Sequence, residues 1–192
     1  MNTLIFATNN HNKVDEVRLV LGTAFHIITL KEAGIDIDIP EPHDTLEANA
    51  TEKSTVIHSI TNKSCFSEDT GLEVEALNGA PGVKSARYAG EGRSFESNIE
   101  KLLQYLEPHQ NKKARFRTVI SLILDDKEYL FEGICPGTII HDKRGSNGFG
   151  YDPVFIPEGS SKTFAEMSME EKSMFSHRKK AMEKLIHFLS TR

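Results

Sequence analysis

The sequence predicts a mixed α/β fold in a single domain, on three observations. Short apolar, β-branched runs alternate with segments whose apolar residues recur at helical spacing, and turn signals separate them throughout. No linker-like, repetitive or low-complexity stretch divides residues 1–192, a length at which one domain is the better reading than two.

In chain order, Leu4-Ile5-Phe6-Ala7 reads as a short buried strand. After the polar stretch Thr8 to Asn12, the residues Val14, Val17, Val20 and Leu21 share one helical face. Ile35, Ile37 and Ile39 alternate with Asp36 and Asp38 as a half-buried strand that Pro40 ends, leaving Glu41 just beyond its tip. Asp44 or Thr45 caps the next helix, with Glu47 placed to complete a capping box and Leu46, Ala50, Ile57 and Ile60 as its apolar stripe. Lys53 falls inside that stripe, where a lysine must either snorkel outward or have an anionic partner. Ser64-Cys65-Phe66 is a strand running into an acidic loop, Ser67-Glu68-Asp69-Thr70-Gly71, followed by Leu72 to Ala76 and the turn Asn78-Gly79-Ala80-Pro81-Gly82. Phe116 to Leu124 is the longest strand signal, and Asp125-Asp126-Lys127-Glu128 turns it into Tyr129-Leu130-Phe131 as a hairpin. Two helices close the chain: one capped by Ser168 with Glu171, the other carrying Ala181, Leu185, Phe188 and Leu189.

Composition narrows the function. No apolar run approaches the roughly 18 residues of a membrane span, and the first residues carry no basic leader, so neither a membrane nor export is expected. Cys65 and Cys135 lie far apart, without zinc or disulfide spacing, which fits buried thiols and the cytoplasm. A formal charge of -5 argues against a duplex nucleic-acid surface but leaves room for a small basic pocket holding one nucleotide.

Three segments carry candidate chemistry. Thr8-Asn9-Asn10-His11-Asn12-Lys13 lies between strand and helix, where backbone N–H groups and the helix dipole favour an anion; a turn that only caps the helix is the competing reading. The adjacent carboxylates Glu68 and Asp69 are hard oxygen ligands of the kind that suit Mg²⁺, and one of them can take a proton from attacking water. A solvated acidic turn is the alternative. Glycine and aromatics in Arg144 to Pro153 suit backbone that approaches a flat ring: Phe149 or Tyr151 to stack on a base, Asp152 to accept from ring N–H groups, or else a plain turn with one buried aromatic anchor. Lys172, His177 and Arg178 follow as readers of carbonyl oxygens or phosphates, or as a solvated basic helix end. No H-E-x-x-H or G-x-S-x-G motif is present, and Cys65 sits in an apolar strand, so metal-assisted attack by water is the favoured mechanism.

Taken in order, Ala7-Thr8-Asn9-Asn10 to Lys13, Thr45-Leu46-Glu47 to Asn49-Ala50, Glu68-Asp69-Thr70-Gly71-Leu72, Gly79-Ala80-Pro81-Gly82 with Ser85-Ala86-Arg87-Tyr88, Gly148 to Pro153, and Glu171-Lys172-Ser173 to Ser176-His177-Arg178 resemble the inosine/xanthosine triphosphate pyrophosphatase family over nearly the whole chain. The resemblance implies an elongated mixed β-sheet flanked by helices, with two lobes around a nucleotide cleft, and a homodimer. It implies hydrolysis of purine nucleoside triphosphates (ITP, dITP and XTP) to the monophosphate and pyrophosphate, by Mg²⁺-assisted attack of water at the α-phosphorus. Carried over to this chain, Thr8 to Lys13, Lys53 and Thr70 bind the triphosphate, and Glu41, Glu68 and Asp69 organise the metal, with Asp69 as the proton acceptor. Phe149, Gly150, Tyr151, Asp152, Lys172, His177 and Arg178 meet the base. Two positions depart from the family pattern: Asn9, where glycine is common, and Ala48, where a second acidic residue usually follows Glu47. Pyrimidine triphosphate pyrophosphatases are the nearest enzymatic rival, and a nucleotide sensor without turnover is a rival of another class.

Overall fold

The computed structural model describes residues 3–21 and 25–191; the opening Met1-Asn2 therefore lies outside it. It is a mixed α/β fold with, among the described residues, a 7-stranded sheet in the order β2-β1-β3-β5-β6-β7, with β4 pairing to β3. The strands are β1 (Thr3–Phe6), β2 (His26–Thr29), β3 (Cys65–Val74), β4 (Pro81–Gly82), β5 (Lys113–Leu124), β6 (Lys127–Ile139) and β7 (Phe155–Pro157). The helices are α1 (His11–Leu21), α2 (Leu46–Thr61), α3 (Phe95–Leu106), α4 (Met169–Phe175) and α5 (His177–Ser190).

The chain forms two compact units, Met1–Asp69 with Thr118–Gly133 and Arg178–Arg192, and Thr70–Arg117 with Ile134–His177. In the first, β1 pairs in parallel with both β2 and β3. Leu4 and Phe6 point to one side and Ile5 and Ala7 to the other, because successive strand side chains alternate. They seed separate cores: one with Val14, Val17, Phe66, Ala181 and Leu185, the other with Ile57 and Cys65. Phe6 and Phe66 stack at 4.5 Å between ring centroids. In the second unit, α3 buries Ile99, Leu102 and Leu106 against Leu72, Phe116, Phe155 and Phe164, and the end of β3 pairs antiparallel with β4.

Local expectations meet four departures. The acidic segment Ser67 to Gly71 is no loop, since β3 runs unbroken from Cys65 to Val74. Residues 35–39 keep the predicted alternation of half-buried and exposed side chains, yet form no strand; the Ile37 carbonyl accepts from the Asn9 side chain (2.9 Å) rather than from a sheet neighbour. The α2 cap is Thr45, whose hydroxyl accepts the Ala48 N–H. The third residue after the cap is thus Ala48, and Glu47 stands one position short of closing a box. Ile60, in the last turn of α2, is 57% exposed. The side chain of Leu21 lies outside the described residues. The predicted hairpin is present, its loop being Asp125 and Asp126, both at positive φ (51° and 59°) as a two-residue type I′ turn requires. The α4 capping box of Ser168 and Glu171 is complete.

Candidate active site

Strand alternation decides the chemistry of the acidic pair. Along β3, Cys65, Ser67 and Asp69 face one way and Phe66 and Glu68 the other. The first set meets α2: the Ser67 hydroxyl donates to the Ala50 carbonyl, and Asp69 Oδ1 accepts from Lys53 Nζ at 3.0 Å. The second set meets α1 and α5: Glu68 accepts from Lys13 Nζ (3.0 Å) and from both Nε (2.7 Å) and Nη2 (3.1 Å) of Arg178. Neighbours in sequence, the two carboxylates stand in different environments.

Those environments push them apart. Burial alone would raise Glu68, but the charges of Arg178 and Lys13 outweigh it and hold the carboxyl well below the usual range. For Asp69 burial wins: with the charge of Glu41 added, it exceeds the pull of Lys53 and Lys13, and the carboxyl is raised. Opposed shifts in a close pair are the pattern of divided roles, one group kept as a charge and the other readied to take a proton.

Lys53 resolves the problem its position poses. It is 7% exposed, and its ammonium bridges Glu41 Oε1 (2.7 Å) and Asp69 Oδ1 (3.0 Å). Burial would lower it, yet the two carboxylates raise it and keep it charged. In return, Lys53 brings Glu41 down to about 2 against the opposing effect of burial. Glu41 therefore joins Asp69 from a segment without strand pairing. Among the described residues no set of three or more carboxylate, imidazole or thiol groups converges as a metal array. Glu41 and Asp69 converge as a pair on one cation.

The turn before α1 is ordered by Asn10, whose Oδ1 accepts the N–H groups of Asn12 (3.0 Å) and Lys13 (3.4 Å), while the Asn10 N–H donates to the Thr8 hydroxyl. Asn10 thus caps the helix. Asn9, His11 and Asn12 are exposed. Thr70 is half-buried on β3, one residue after Asp69.

In the second unit, Asp152 is 3% exposed and its Oδ2 accepts from the Phe149 N–H (2.9 Å) and from Lys172 Nζ (2.7 Å). Gly148 makes this possible: its φ is +73°, and a Cβ there would stand 2.0 Å from Asp152 Oδ2. The buried Lys172 ammonium also lies over the rings of Phe149 (5.1 Å) and Phe164 (5.2 Å). Of the two candidate stacking rings, Tyr151 is buried, its hydroxyl donating to the Ser85 carbonyl at 2.8 Å, so Phe149 is the half-buried one. Gly150 stands between them at φ +62°. His177 is buried and stacked on Phe116 at 4.9 Å.

Arg178 is 1% exposed; besides its fork on Glu68, its Nη1 donates to Glu16 on α1. The sequence assigns no role to Glu16 or Phe95, nor to Asn49, although Asn49 lies in one of the motifs that carry the resemblance. Glu16 lies three residues after Lys13, on the same helical face. Asn49 interrupts the apolar stripe of α2 as Lys53 does, and is fully buried. Phe95 packs on Phe149 at 6.3 Å; nothing in the local pattern marks it.

Comparison with known proteins identifies the family. The model of the Ham1 family matches residues 4–188. The chain is 52% identical over 191 residues to a dITP/XTP pyrophosphatase of Porphyromonas gingivalis, covering 98% of each chain, and 48% identical over 187 residues to one of Flavobacterium johnsoniae, covering 97% of each. Among solved structures, the Ham1 protein of Staphylococcus aureus superposes with a TM-score of 0.90 at 41% identity, over 99% of each chain. A HAM1 protein of Coxiella burnetii gives 0.91 at 33% identity, over 100% of each. With a family match spanning almost every residue and relatives this similar end to end, the chain belongs to the Ham1 family.

Proposed function

We propose that the chain is a nucleoside triphosphate pyrophosphatase that hydrolyses deaminated purine nucleoside triphosphates (ITP, dITP and XTP) to the monophosphate and pyrophosphate. The observation that carries this reading is the division of Glu68 and Asp69 between the two faces of β3, one held as a charge and the other raised. The relatives named dITP/XTP pyrophosphatase support the substrate class.

The roles follow from the placements. Asp69 accepts the proton of the water that attacks the α-phosphorus. Thr8, Asn9, Asn10, His11, Asn12, Lys13, Lys53 and Thr70 hold the triphosphate. Glu41 and Asp69 suit a hard divalent cation, because their oxygens already converge on one positive charge. Mg²⁺ is assigned to these two, while Glu68, on the other face of β3, pairs with Lys13 and Arg178; when bound, the ion would neutralise phosphate oxygens. Phe149, Gly150 and Tyr151 form the wall for the base, while Asp152, Lys172 and His177 read its edge. A C6 carbonyl leaves no buried donor unpaired where an amino group would. Arg178 is assigned to holding Glu68 in place rather than to the base.

The active protein is a homodimer, each chain acting as one domain, on the strength of the resemblance. The cytoplasm is its compartment, which accords with Cys65 and Cys135 as buried thiols outside any disulfide, Cys65 pushed up to about 12 by burial. No helix among the described residues is long and apolar enough to cross a membrane.

A panel of ITP, XTP, GTP, ATP, dTTP and UTP with Mg²⁺, with orthophosphate and pyrophosphate measured separately, tests the reading. The expected result is pyrophosphate from ITP and XTP, on the order of 10²-fold faster in kcat/KM than from ATP. GTP shares the C6 carbonyl, so its rejection reports discrimination at C2. Orthophosphate as first product, or fastest turnover of a pyrimidine, defeats the assignment.

A further inference from the structure

The segment bearing Glu41 has no strand pairing to place it, since residues 36–43 lie outside every strand and helix. Its position therefore depends on side-chain ties. Lys53 makes one, to Glu41 itself. Asn9 makes another, to the Ile37 carbonyl, and a further one belongs to Asn49, one turn earlier on α2 and fully buried. Its Oδ1 accepts the His43 N–H at 3.0 Å and its Nδ2 donates to the His43 carbonyl at 3.1 Å, closing a two-bond clasp on the backbone two residues beyond Glu41. The same Nδ2 lies 3.4 Å from Asp69 Oδ2, the oxygen opposite the one that Lys53 holds. One amide thus touches both the segment of Glu41 and the carboxylate of Asp69.

We infer that Asn49 is a positioning residue for the reaction: it fixes where Glu41 stands and how the Asp69 carboxylate is turned, without contacting substrate. This deepens the function proposed above and rests on it. A buried amide is suited to the task because it offers donors and an acceptor in one plane and carries no charge that would titrate beside two carboxylates. Both His43 bonds are only partly buried, so losing the amide hands those backbone groups to water and loosens the segment rather than replacing the bonds. Supporting residues of this kind around a metal or catalytic carboxylate are worth about 10 to 100-fold in activity.

The test compares Asn49→Ala, Asn49→Asp and, as a control on the same helix, Thr51→Ala, which removes a methyl group and a hydroxyl bonded to Glu128. NMR-detected hydrogen exchange at the His43 amide reads the clasp, and kcat and KM with ITP read the chemistry. For Asn49→Ala the expected result is a cooperative melt, His43 exchange faster by about ten-fold or more, and kcat lower by about 10 to 100-fold with KM changed far less. Asn49→Asp keeps an acceptor for the His43 N–H but sets a carboxylate against Asp69, so it restores protection of that amide without restoring kcat. Thr51→Ala leaves both readouts unchanged. Unaltered His43 exchange in Asn49→Ala, unaltered kcat, or an equal kcat loss in Thr51→Ala overturns the inference. A wild-type protein inert toward ITP defeats the functional reading instead, and the exchange arm still reports on the clasp.

Discussion

Asp69→Asn is expected to lower turnover of ITP by about 10² to 10⁴-fold, the range ascribed to a positioned proton acceptor, while the protein stays folded and binds nucleotide. The substitution keeps the shape of the side chain and a carbonyl oxygen for the Lys53 ammonium, but removes the group that takes the proton. It acts where the structure has raised the carboxyl, on the α2 face of β3, and leaves Glu68 with Lys13 and Arg178 on the other face. Glu68→Asn is not its equivalent, since it strips a buried guanidinium of its main partner. The measurement is kcat with ITP alongside calorimetric binding of a non-hydrolysable analogue. Near-normal turnover by a folded, nucleotide-binding Asp69→Asn protein removes Asp69 from the role.

Arg178→Met is expected to produce the largest loss of stability, about 3–5 kcal/mol, because breaking a buried ion pair from one side strips the buried Glu68 of most of its compensating charge. Glu68 then keeps only Lys13 and Glu16 loses its guanidinium partner. The sign with pH follows from the depressed carboxyl. A carboxylate lowered in the folded state contributes stability above its unfolded value, roughly 4.3, and loses that contribution as pH falls through the folded value. The gap between wild type and variant is therefore widest above about pH 5 and narrows in acid, where protonating Glu68 costs the wild type its pair and relieves the variant. Urea denaturation across pH reads this directly. A gap independent of pH, or a double variant Arg178→Met/Glu68→Gln as unstable as Arg178→Met alone, speaks against the pair.

Much of this was legible in the residues and some was not, for reasons that can be named. Lys53 announced itself, because a lysine in an apolar helical stripe demands an anion, and the structure supplies Glu41 and Asp69. The same reasoning applied to Asn49, the polar residue one turn away, identifies it too. The acidic pair misled. Asp, Thr and Gly together read as a turn, yet β3 runs through them because buried cations neutralise both carboxylates and tertiary pairing overrides local preference. Without the strand, the alternation that sends Glu68 and Asp69 to opposite faces is invisible. The fork between Arg178 and Glu68 joins residues 110 positions apart, beyond any local pattern. The alternation of Ile35, Ile37 and Ile39 predicts their burial but not their lack of strand pairing, since period-two exposure needs only an extended backbone against a core.

The central claim is that water, activated at Asp69, attacks the α-phosphorus of a purine triphosphate. A single turnover of ITP in ¹⁸O-enriched water, with both products analysed by mass, tests it most directly. Attack at the α-phosphorus places the label in the monophosphate and leaves the pyrophosphate unlabelled; label in the pyrophosphate places the attack at the β-phosphorus and contradicts the account.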